Sequence, residues 1–410
     1  MSALRNSLLF LTCFFLLGWS TVWAQKNAAG SKKFSSWYVE PEVMAGFNVK
    51  NWSRFPDYTV RTGYQVSIGK VHQDTSVHWH GYYRFPNLGI SLMYSDPGSP
   101  VLGDEISVVP YFMVNLSREK ARSFYLKVGM GGSYVTNSFD SLQNPGNEIV
   151  GAPWNWQFQL FMYRTLWLSN KWHVRIGGGY VHTSNSHTEL PNFGLNSGMF
   201  TLAFQRNQHE LVDARKSGWA FRPDRRQQYF WQVIPGLGFH ELGGTRRPID
   251  TPNKLIASLA IETGIIFKQH FKVKTGFTYR YYDSFRDDII NRELAQYEDQ
   301  PIWNASHLYW TLGMEYLLGH FSFEIQSGIT IHKPYFDLWY FETAGTNKVD
   351  KFRNKFFPNR IGGNVYLLNT NKNPPQNVFF GVHVNANWGT ADFHGFTLGY
   401  VRRWSSTASD

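Results

Sequence analysis

A histidine and a serine stand two residues apart in the stretch GGGYVHTSNSHTELPNFGLNSGMF, Gly177 to Phe200. A serine hydroxyl is a weak nucleophile until a neighbouring base takes its proton, and an imidazole is the side chain that most often does so. Residues i and i+2 of a β-strand point to the same face. If this segment is a strand, His182 and Ser184 are therefore neighbours with the types needed for nucleophilic catalysis.

The composition indicates a β-rich protein. Of its 410 residues, 42% are hydrophobic and 17% aromatic, only 17% are charged, and 36 are glycine. These values exclude a disordered chain and do not suit a soluble helical protein. The single cysteine, Cys13, lies in the N-terminal segment considered next. The rest of the chain has no cysteine and therefore no disulfide, no thiolate nucleophile and no cysteine-ligated metal.

The first residues have the pattern of a secretory signal peptide. Arg5 precedes an apolar run from Leu8 to about Leu17, and small and polar residues follow as far as Ala24. The run is shorter than the roughly 20 residues that span a bilayer, so cleavage after Ala24 is favoured over a retained anchor. We expect residues 1–24 to be removed.

The rest of the chain alternates apolar and polar residues in segments of about ten, bounded by Gly, Asn, Asp or Pro, as strands do. The predicted strands are Tyr58–Ile68, Ile106–Val114, Phe124–Val135, Trp154–Leu168, Trp172–Ser184, Asn196–Phe204, Leu255–Phe267, Phe271–Tyr282, Leu308–Leu318, Phe321–Ile331, Val378–Asn387 and Phe396–Trp404. The segment FPNLGISLMY can be read as one strand or two. No later segment has 18 consecutive apolar residues, so no transmembrane helix is predicted.

Such strands after a signal peptide are typical of an outer-membrane β-barrel, and a secreted sandwich or propeller is the main competitor. Loop lengths favour the barrel, because short connections such as Ser169-Asn170 and Gln269-His270 alternate with long ones such as 137–153 and 185–195. We expect one antiparallel barrel of 12 to 16 strands over residues 25–410. The long segment 206–225, which follows Gln205 where a short turn is expected, is interpreted as a periplasmic insertion.

Alternation also assigns the faces of the strand that carries the pair. Trp172, Ile176 and Tyr180 share the face of His182 and Ser184, whereas His173 and Arg175 lie on the other. The apolar face of a membrane barrel points at lipid. The pair is therefore expected to face outward near the external rim, where lipopolysaccharide is the abundant lipid. A serine and a histidine in that position indicate an esterase acting on membrane lipid.

The segment HTSNSHTELPNFGLN resembles the motif of PagL-type lipid A deacylases, also called acyloxyacyl hydrolases. That motif reads His-x-Ser-Asn, five residues, then Pro-Asn-x-Gly, an aliphatic residue and Glu. The matching residues, in order and spacing, are His182, Ser184, Asn185, Pro191, Asn192, Gly194 and Leu195. The resemblance covers about residues 37–206, and the strands over about 226–404 are additional to it. It implies an outer-membrane enzyme that acts on lipid A of lipopolysaccharide.

By this resemblance Ser184 is the nucleophile and His182 the general base. Asn185 would hold the oxyanion, assisted by a backbone N–H near His187, where the family more often has glycine. Pro191, Asn192 and Gly194 would shape the loop. No cofactor is implied.

The departure from the motif is Asn196, which stands where the family has an acidic residue. Pairing across the hairpin brings Asn196 close to His182, and an amide can orient an imidazole without stabilising its positive charge. In a serine protease the change from acid to amide costs about 10⁴ in rate. Either Asn196 is the orienting residue, which we favour, or Glu189 in the same loop replaces it.

Other patterns carry less weight. His78 and His80 have metal-like spacing, but Asp74 lies too far from His80 along an extended strand to share one ion with it, so no metal site is predicted. Tryptophans near strand ends, including Trp156, are interpreted as a membrane-interface girdle.

The formal net charge is +10. Basic residues in the predicted loops, such as Arg246 and Lys351, either meet lipopolysaccharide phosphates or are simply solvated, and nucleic acid is not an expected partner. The competing functional class is a non-catalytic barrel, either a porin or transporter or an inactive relative of the deacylases.

Overall fold

The computed structural model describes residues 36–74, 77–117, 124–169, 171–209, 227–245, 247–248, 251–343 and 347–405. The predicted signal peptide over residues 1–24 lies outside these ranges, as does most of the segment 206–225. No helix in the described ranges is long and apolar enough to cross a membrane.

The first eight strands form a closed antiparallel barrel in which each strand pairs with the next and β8 pairs back with β1. The strands are β1 (Ser36–Asn48), β2 (Arg61–Val71), β3 (Asn87–Asp96), β4 (Glu105–Asn115), β5 (Phe124–Val135), β6 (Trp154–Trp167), β7 (Trp172–Ser184) and β8 (Leu195–Asn207). A short helix, α1 (His78–Tyr82), lies between β2 and β3. Closure leaves no strand edge of this sheet unpaired.

A second closed antiparallel barrel of eight strands follows, in which β9 pairs with both β12 and β18. Its strands are β9 (Gln227–His240), β12 (Lys254–Phe267), β13 (Phe271–Tyr282), β14 (Ser306–Leu318), β15 (Phe321–His332), β16 (Pro358–Tyr366), β17 (Gln376–Asn387) and β18 (Thr390–Ser405). Two-residue strands β10 (Gly243–Gly244) and β11 (Arg247–Pro248) pair in the loop after β9. Further helices occupy the long loops: α2 (Asp283–Asn291), α3 (Ala295–Glu298), α4 (Pro301–Asn304), α5 (Phe336–Thr343) and α6 (Lys348–Phe356).

The all-β antiparallel fold is confirmed, but the single barrel expected over residues 25–410 is corrected to two barrels. Because β8 returns to β1, the first sheet has no edge to which β9 could add. The chain must therefore leave the first barrel and begin another. This explains why the connection after β8 is long where a short turn was expected.

Three strands of the two barrels were not among those predicted: β1, β9 and β16. The segment FPNLGISLMY, which the sequence left open as one strand or two, forms the single strand β3. The pattern of β1 is obscured by charge, since Glu40 and Glu42 are buried in the barrel interior beside apolar residues. His78 and His80 both lie in α1 and not on a strand.

Both interiors are filled by buried polar and charged side chains. In the first barrel, Arg61 pairs with Glu105 at 2.5 Å and Arg175 pairs with Glu40. In the second, Lys274 lies 3.1 Å from Glu262 and 2.7 Å from Glu324. Charges buried in a low-dielectric interior must be paired, so these networks fix the interior packing.

The outer faces of the strands are apolar. On β7, Ile176 and Tyr180 are exposed whereas His173 and Arg175 are buried inside, as the face count predicted. Large hydrophobic residues such as Phe200, which is 69% exposed, continue this surface on β8. An apolar exterior over a polar interior is the arrangement of an outer-membrane barrel.

The two barrels contact each other at both ends. At the end with the short turns, Tyr83 donates a hydrogen bond to the carbonyl of His270 at 2.9 Å. At the end with the long loops, the loop between β7 and β8 packs against the segment that follows β9. The long-loop end is the external one in barrels of this type.

Candidate functional site

The candidate site lies at the long-loop end of the hairpin formed by β7 and β8. The register of this hairpin places His182 directly opposite Asn196. His182 has the outward parity of Tyr180, so it lies on the outer face of the barrel. The structure thus brings together the predicted base and the residue that stands in place of the family's acid.

The imidazole of His182 is oriented by an amide. Its Nδ1 is 2.7 Å from Oδ1 of Asn196, and because a carbonyl oxygen only accepts, Nδ1 carries the proton. Tyr180 also donates its hydroxyl hydrogen bond to the same Oδ1. This tautomer leaves the lone pair of Nε2 to act as a base.

Ser184 is outward in parity but covered, with 3% of its surface exposed. Its Oγ accepts hydrogen bonds from Nδ2 of Asn192 at 2.8 Å and from the backbone N–H of Ser186 at 3.2 Å. No hydrogen bond joins it to His182 within the described residues. The two lie about 6.8 Å apart along the strand, a separation that an imidazole side chain can bridge.

The two predicted oxyanion donors are engaged within the loop. Nδ2 of Asn185 donates to the carbonyl of Glu189 at 2.8 Å, and the backbone N–H of His187 donates to Oδ1 of Asn185 at 3.1 Å. The side-chain donor that contacts the oxygen of Ser184 is Asn192 instead. From the sequence, Asn192 was expected only to shape the loop.

Glu189, the alternative third member, lies exposed in the loop. Its backbone carbonyl accepts a hydrogen bond from the side chain of Asn185. The structure therefore brings Asn196, and not Glu189, to the imidazole of His182.

The loop between β7 and β8 has a constrained backbone. Ser186 and His187 adopt left-handed conformations with φ of 53° and 77°, and Gly194 has φ of 74°. A Cβ atom on Gly194 would lie 2.8 Å from Cε1 of His182. The backbone conformation and the nearby imidazole therefore both favour glycine at this position. A Cβ atom on Gly151 in the neighbouring loop would lie 2.6 Å from the carbonyl oxygen of Pro191, so the two loops pack closely at this glycine.

Two residues near the site were not recognised in the sequence as part of it. Tyr180 shares the face of His182, and that parity was the available signal. Trp156 pairs with Ser184 across β6 and β7, and its ring lies 5.0 Å from that of His182. Its indole N–H donates to Oγ of Ser186 at 2.6 Å. Its position near a strand end led to the interpretation of Trp156 as part of the membrane girdle. Its hydrogen bond to Ser186 was not predictable, because that bond depends on the conformation of the loop.

His187 is buried between the barrels. Burial lowers the pKa of its imidazole, which stacks on the ring of His240 with centroids 5.0 Å apart. In the neutral ring, Nε2 donates to the carbonyl of Gly243 at 3.0 Å. This loop residue is thus tied to the second barrel.

In the described ranges no group of three or more His, Cys, Asp or Glu side chains is placed to hold a metal ion. His80 lies 3.1 Å from His72 between ring nitrogens, and the side chain of His78 is not described.

Residues 42–205 match the family model described as Lipid A 3-O-deacylase (PagL). Among solved structures, the outer-membrane enzyme PagL is 15% identical, with 41% of this chain and 98% of that chain covered and a TM-score of 0.27. OprB from Pseudomonas putida is 8% identical, with 90% and 94% covered and a TM-score of 0.16. No curated protein sequence matches the chain.

The family match runs from β1 to β8 and ends before the second barrel begins. With the closed barrels and their apolar outer faces, it places the protein in the outer membrane of a Gram-negative bacterium. The resemblance seen in the sequence is thereby confirmed for the first barrel, which matches the PagL family model.

Proposed function

We propose that the protein is an esterase that removes an ester-linked acyl chain from lipid A. The observation that carries this proposal is the outward position of His182 and Ser184, at the external end of a barrel that matches the lipid A 3-O-deacylase family. The family description makes the 3-O-linked chain the acyl chain that is proposed to be removed.

In the proposed mechanism, Oγ of Ser184 attacks the ester carbonyl while Nε2 of His182 takes the hydroxyl proton. The carbonyl oxygen becomes an oxyanion. When the tetrahedral intermediate collapses, the bond to the sugar oxygen breaks and that oxygen receives the proton from His182. Water, activated by the same imidazole, then releases the fatty acid from Ser184.

Hydrogen-bond donors near Ser184 support stabilisation of the oxyanion. The amide of Asn192 already lies 2.8 Å from the nucleophilic oxygen, which makes it a donor candidate beside Asn185 and the backbone of His187. The side chain of Asn185 is hydrogen-bonded to the backbone of His187 and of Glu189. In this geometry Asn185 therefore stabilises the conformation of the loop.

Asn196 is proposed to orient His182 through its carbonyl oxygen. The 2.7 Å contact with Nδ1 supports this role, since it fixes the tautomer that the mechanism needs. The cation that forms during the reaction is then stabilised without a full negative charge.

The filled interiors favour an enzyme over an open pore. Buried ion pairs cross both barrels, such as Arg61 with Glu105 and Lys274 with Glu324. A porin needs a water-filled channel in the place these side chains occupy.

The test is the Ser184→Ala variant in cells that make lipopolysaccharide. We expect the variant to fold and insert but to release no acyl chain, as measured by mass spectrometry of lipid A. Ser327→Ala is the matched control, since Ser327 is an exposed serine on the second barrel. Deacylation at the parental level in Ser184→Ala would contradict the hydrolase assignment.

A further inference from the structure

We propose that the second barrel is part of the hydrolase, because its residue Glu241 is a positioning residue for the loop 185–194. Glu241 directly follows β9. This inference rests on the proposed function and goes beyond it, because the family match ends at residue 205.

The loop 185–194 needs external support to keep its conformation. Ser186 and His187 are consecutive non-glycine residues in the left-handed region, which is unfavourable for residues with a Cβ atom because that atom crowds the following carbonyl oxygen. Such conformations persist only where surrounding contacts hold them. From the first barrel, Trp156 donates a hydrogen bond to Ser186. The end of the loop is held as well, since the backbone N–H groups of Phe193 and Gly194 donate to carbonyls of the neighbouring loop at residues 148 and 149.

The second barrel provides four more hydrogen bonds. The backbone N–H of Glu241 donates to the carbonyl of His187 at 3.2 Å, and Oε2 of Glu241 accepts from the backbone N–H of Leu190 at 2.7 Å. His187 donates to Gly243 at 3.0 Å. The hydroxyl of Thr245 donates to the carbonyl of Asn192 at 3.3 Å.

These contacts lead directly to the nucleophile. Asn192 is held at its backbone by Thr245, and its side-chain amide donates to Oγ of Ser184. Leu190, two residues earlier, is held by the carboxylate of Glu241. The second barrel therefore determines where the amide of Asn192 lies relative to Ser184.

The carboxylate of Glu241 is the strongest of these supports. Hydrogen bonds to an ionised acceptor are roughly twice as strong as neutral ones. Glu241 is also buried, so its position is fixed by the groups around it. Removing it leaves the N–H of Leu190 buried without this acceptor.

The experiment compares Glu241→Ala with Glu241→Gln in the full-length protein in lipopolysaccharide-containing vesicles. Release of the acyl chain is measured as kcat and KM, and hydrogen exchange of peptide 185–194 is followed by mass spectrometry. Asp350→Ala is the matched control, because Asp350 is an exposed acid of α6 in the second barrel.

We expect Glu241→Ala to lower kcat by about 10- to 100-fold with little change in KM, because a catalytic group is displaced but the substrate surface is kept. Exchange of the loop peptide should become faster. Glu241→Gln keeps a side-chain oxygen acceptor and should restore both values towards those of the parent.

Parental kcat and loop exchange in Glu241→Ala would overturn the proposal, as would equal impairment in the Ala and Gln variants. If the parent itself releases no acyl chain, the proposed function fails. The exchange measurement then decides the positioning role on its own, since faster exchange in Glu241→Ala supports it and unchanged exchange refutes it.

Discussion

The orienting residue Asn196 is neutral, and this distinguishes the site from the family motif. Its Oδ1 accepts from both His182 and Tyr180. Two donors on one carbonyl oxygen hold that oxygen in a fixed position. In the proposed mechanism, this fixed position replaces part of what a carboxylate would contribute through its charge.

Substitution of Asn196 tests this role. Asn196→Leu removes the acceptor for Nδ1 of His182, so kcat should fall, by at most the roughly 10²- to 10⁴-fold that a positioned base contributes. Asn196→Glu keeps an acceptor and adds charge beside the imidazolium, so activity should be retained or raised. Acyl release from lipid A measures both.

Glu189→Gln is the control for the alternative assignment. Glu189 is exposed and contributes its backbone carbonyl to the loop, so this variant should match the parent. An active Asn196→Leu together with an inactive Glu189→Gln would transfer the orienting role to Glu189.

The sequence predicted the positions of His182, Ser184 and Asn196 better than it predicted the contacts around them. The i, i+2 spacing and strand parity sufficed to place His182 and Ser184 outward, and hairpin pairing placed Asn196 opposite His182. The contact of Asn192 with Ser184 was not predictable, because it depends on left-handed residues in the loop and on hydrogen bonds from residues about fifty positions later.

Among the structural elements, the loop between β7 and β8 ends at Gly194, where two features of the structure disfavour a larger residue. Its φ of 74° is strained for any other residue, and a Cβ atom there would lie 2.8 Å from Cε1 of His182. The loop therefore returns to β8 close to the imidazole of His182.

Gly194→Ala should thus impair both stability and catalysis. The left-handed backbone costs roughly 1–2 kcal/mol in the free energy of unfolding. The added methyl group displaces His182, which should lower kcat by about 100-fold. Denaturant unfolding and acyl release are the two measurements.

Gly389→Ala provides a matched control. Gly389 has φ of 83° in the turn between β17 and β18, and a Cβ there would meet no atom within 4 Å. It should show the loss of stability with parental kcat. Normal kcat in Gly194→Ala would show that the imidazole tolerates the methyl group.

Strands were predictable where their two faces differ clearly in polarity. The strand β7 meets this condition, with His173 and Arg175 inside and Ile176 outside. The strand β1 does not, because buried Glu40 and Glu42 alternate with residues of mixed character. The helices of the external loops were not predicted, since those loops were read only from their length.

For the whole molecule, the number of strands could be predicted from the sequence, but the pairing that closes them into two barrels could not. Sixteen strands in two rings fall at the upper end of the expected range. Whether β8 pairs with β1 or β9 depends on contacts between residues about 160 positions apart, such as Val39 with Arg206. Local alternation carries no information about that choice.

Each of the two closed barrels has its own network of buried ion pairs. A substitution can therefore destabilise one barrel without destabilising the other. In the second barrel, Lys274 lies between Glu262 and Glu324, and all three are buried. Lys274→Met removes the charge and leaves the two carboxylates to Arg360, which is 2.5 Å from Glu324 and 3.9 Å from Glu262. Breaking such a buried pair costs about 3–5 kcal/mol.

We expect Lys274→Met to unfold in its second barrel at lower denaturant concentration than the parent, while the first barrel is unchanged. Hydrogen exchange of peptides from β13 and β7 at each concentration distinguishes the two barrels. The exposed Lys372→Met should lie within about 0.5 kcal/mol of the parent.

The activity of Lys274→Met then reports how the barrels are coupled. Because Glu241 and Thr245 hold the loop that carries Asn192, acyl release should be lost over the range in which β13 unfolds, while β7 is still protected. Activity that persists until β7 itself loses protection would show that the first barrel works alone. The second barrel would then have no part in placing the amide of Asn192 against Ser184.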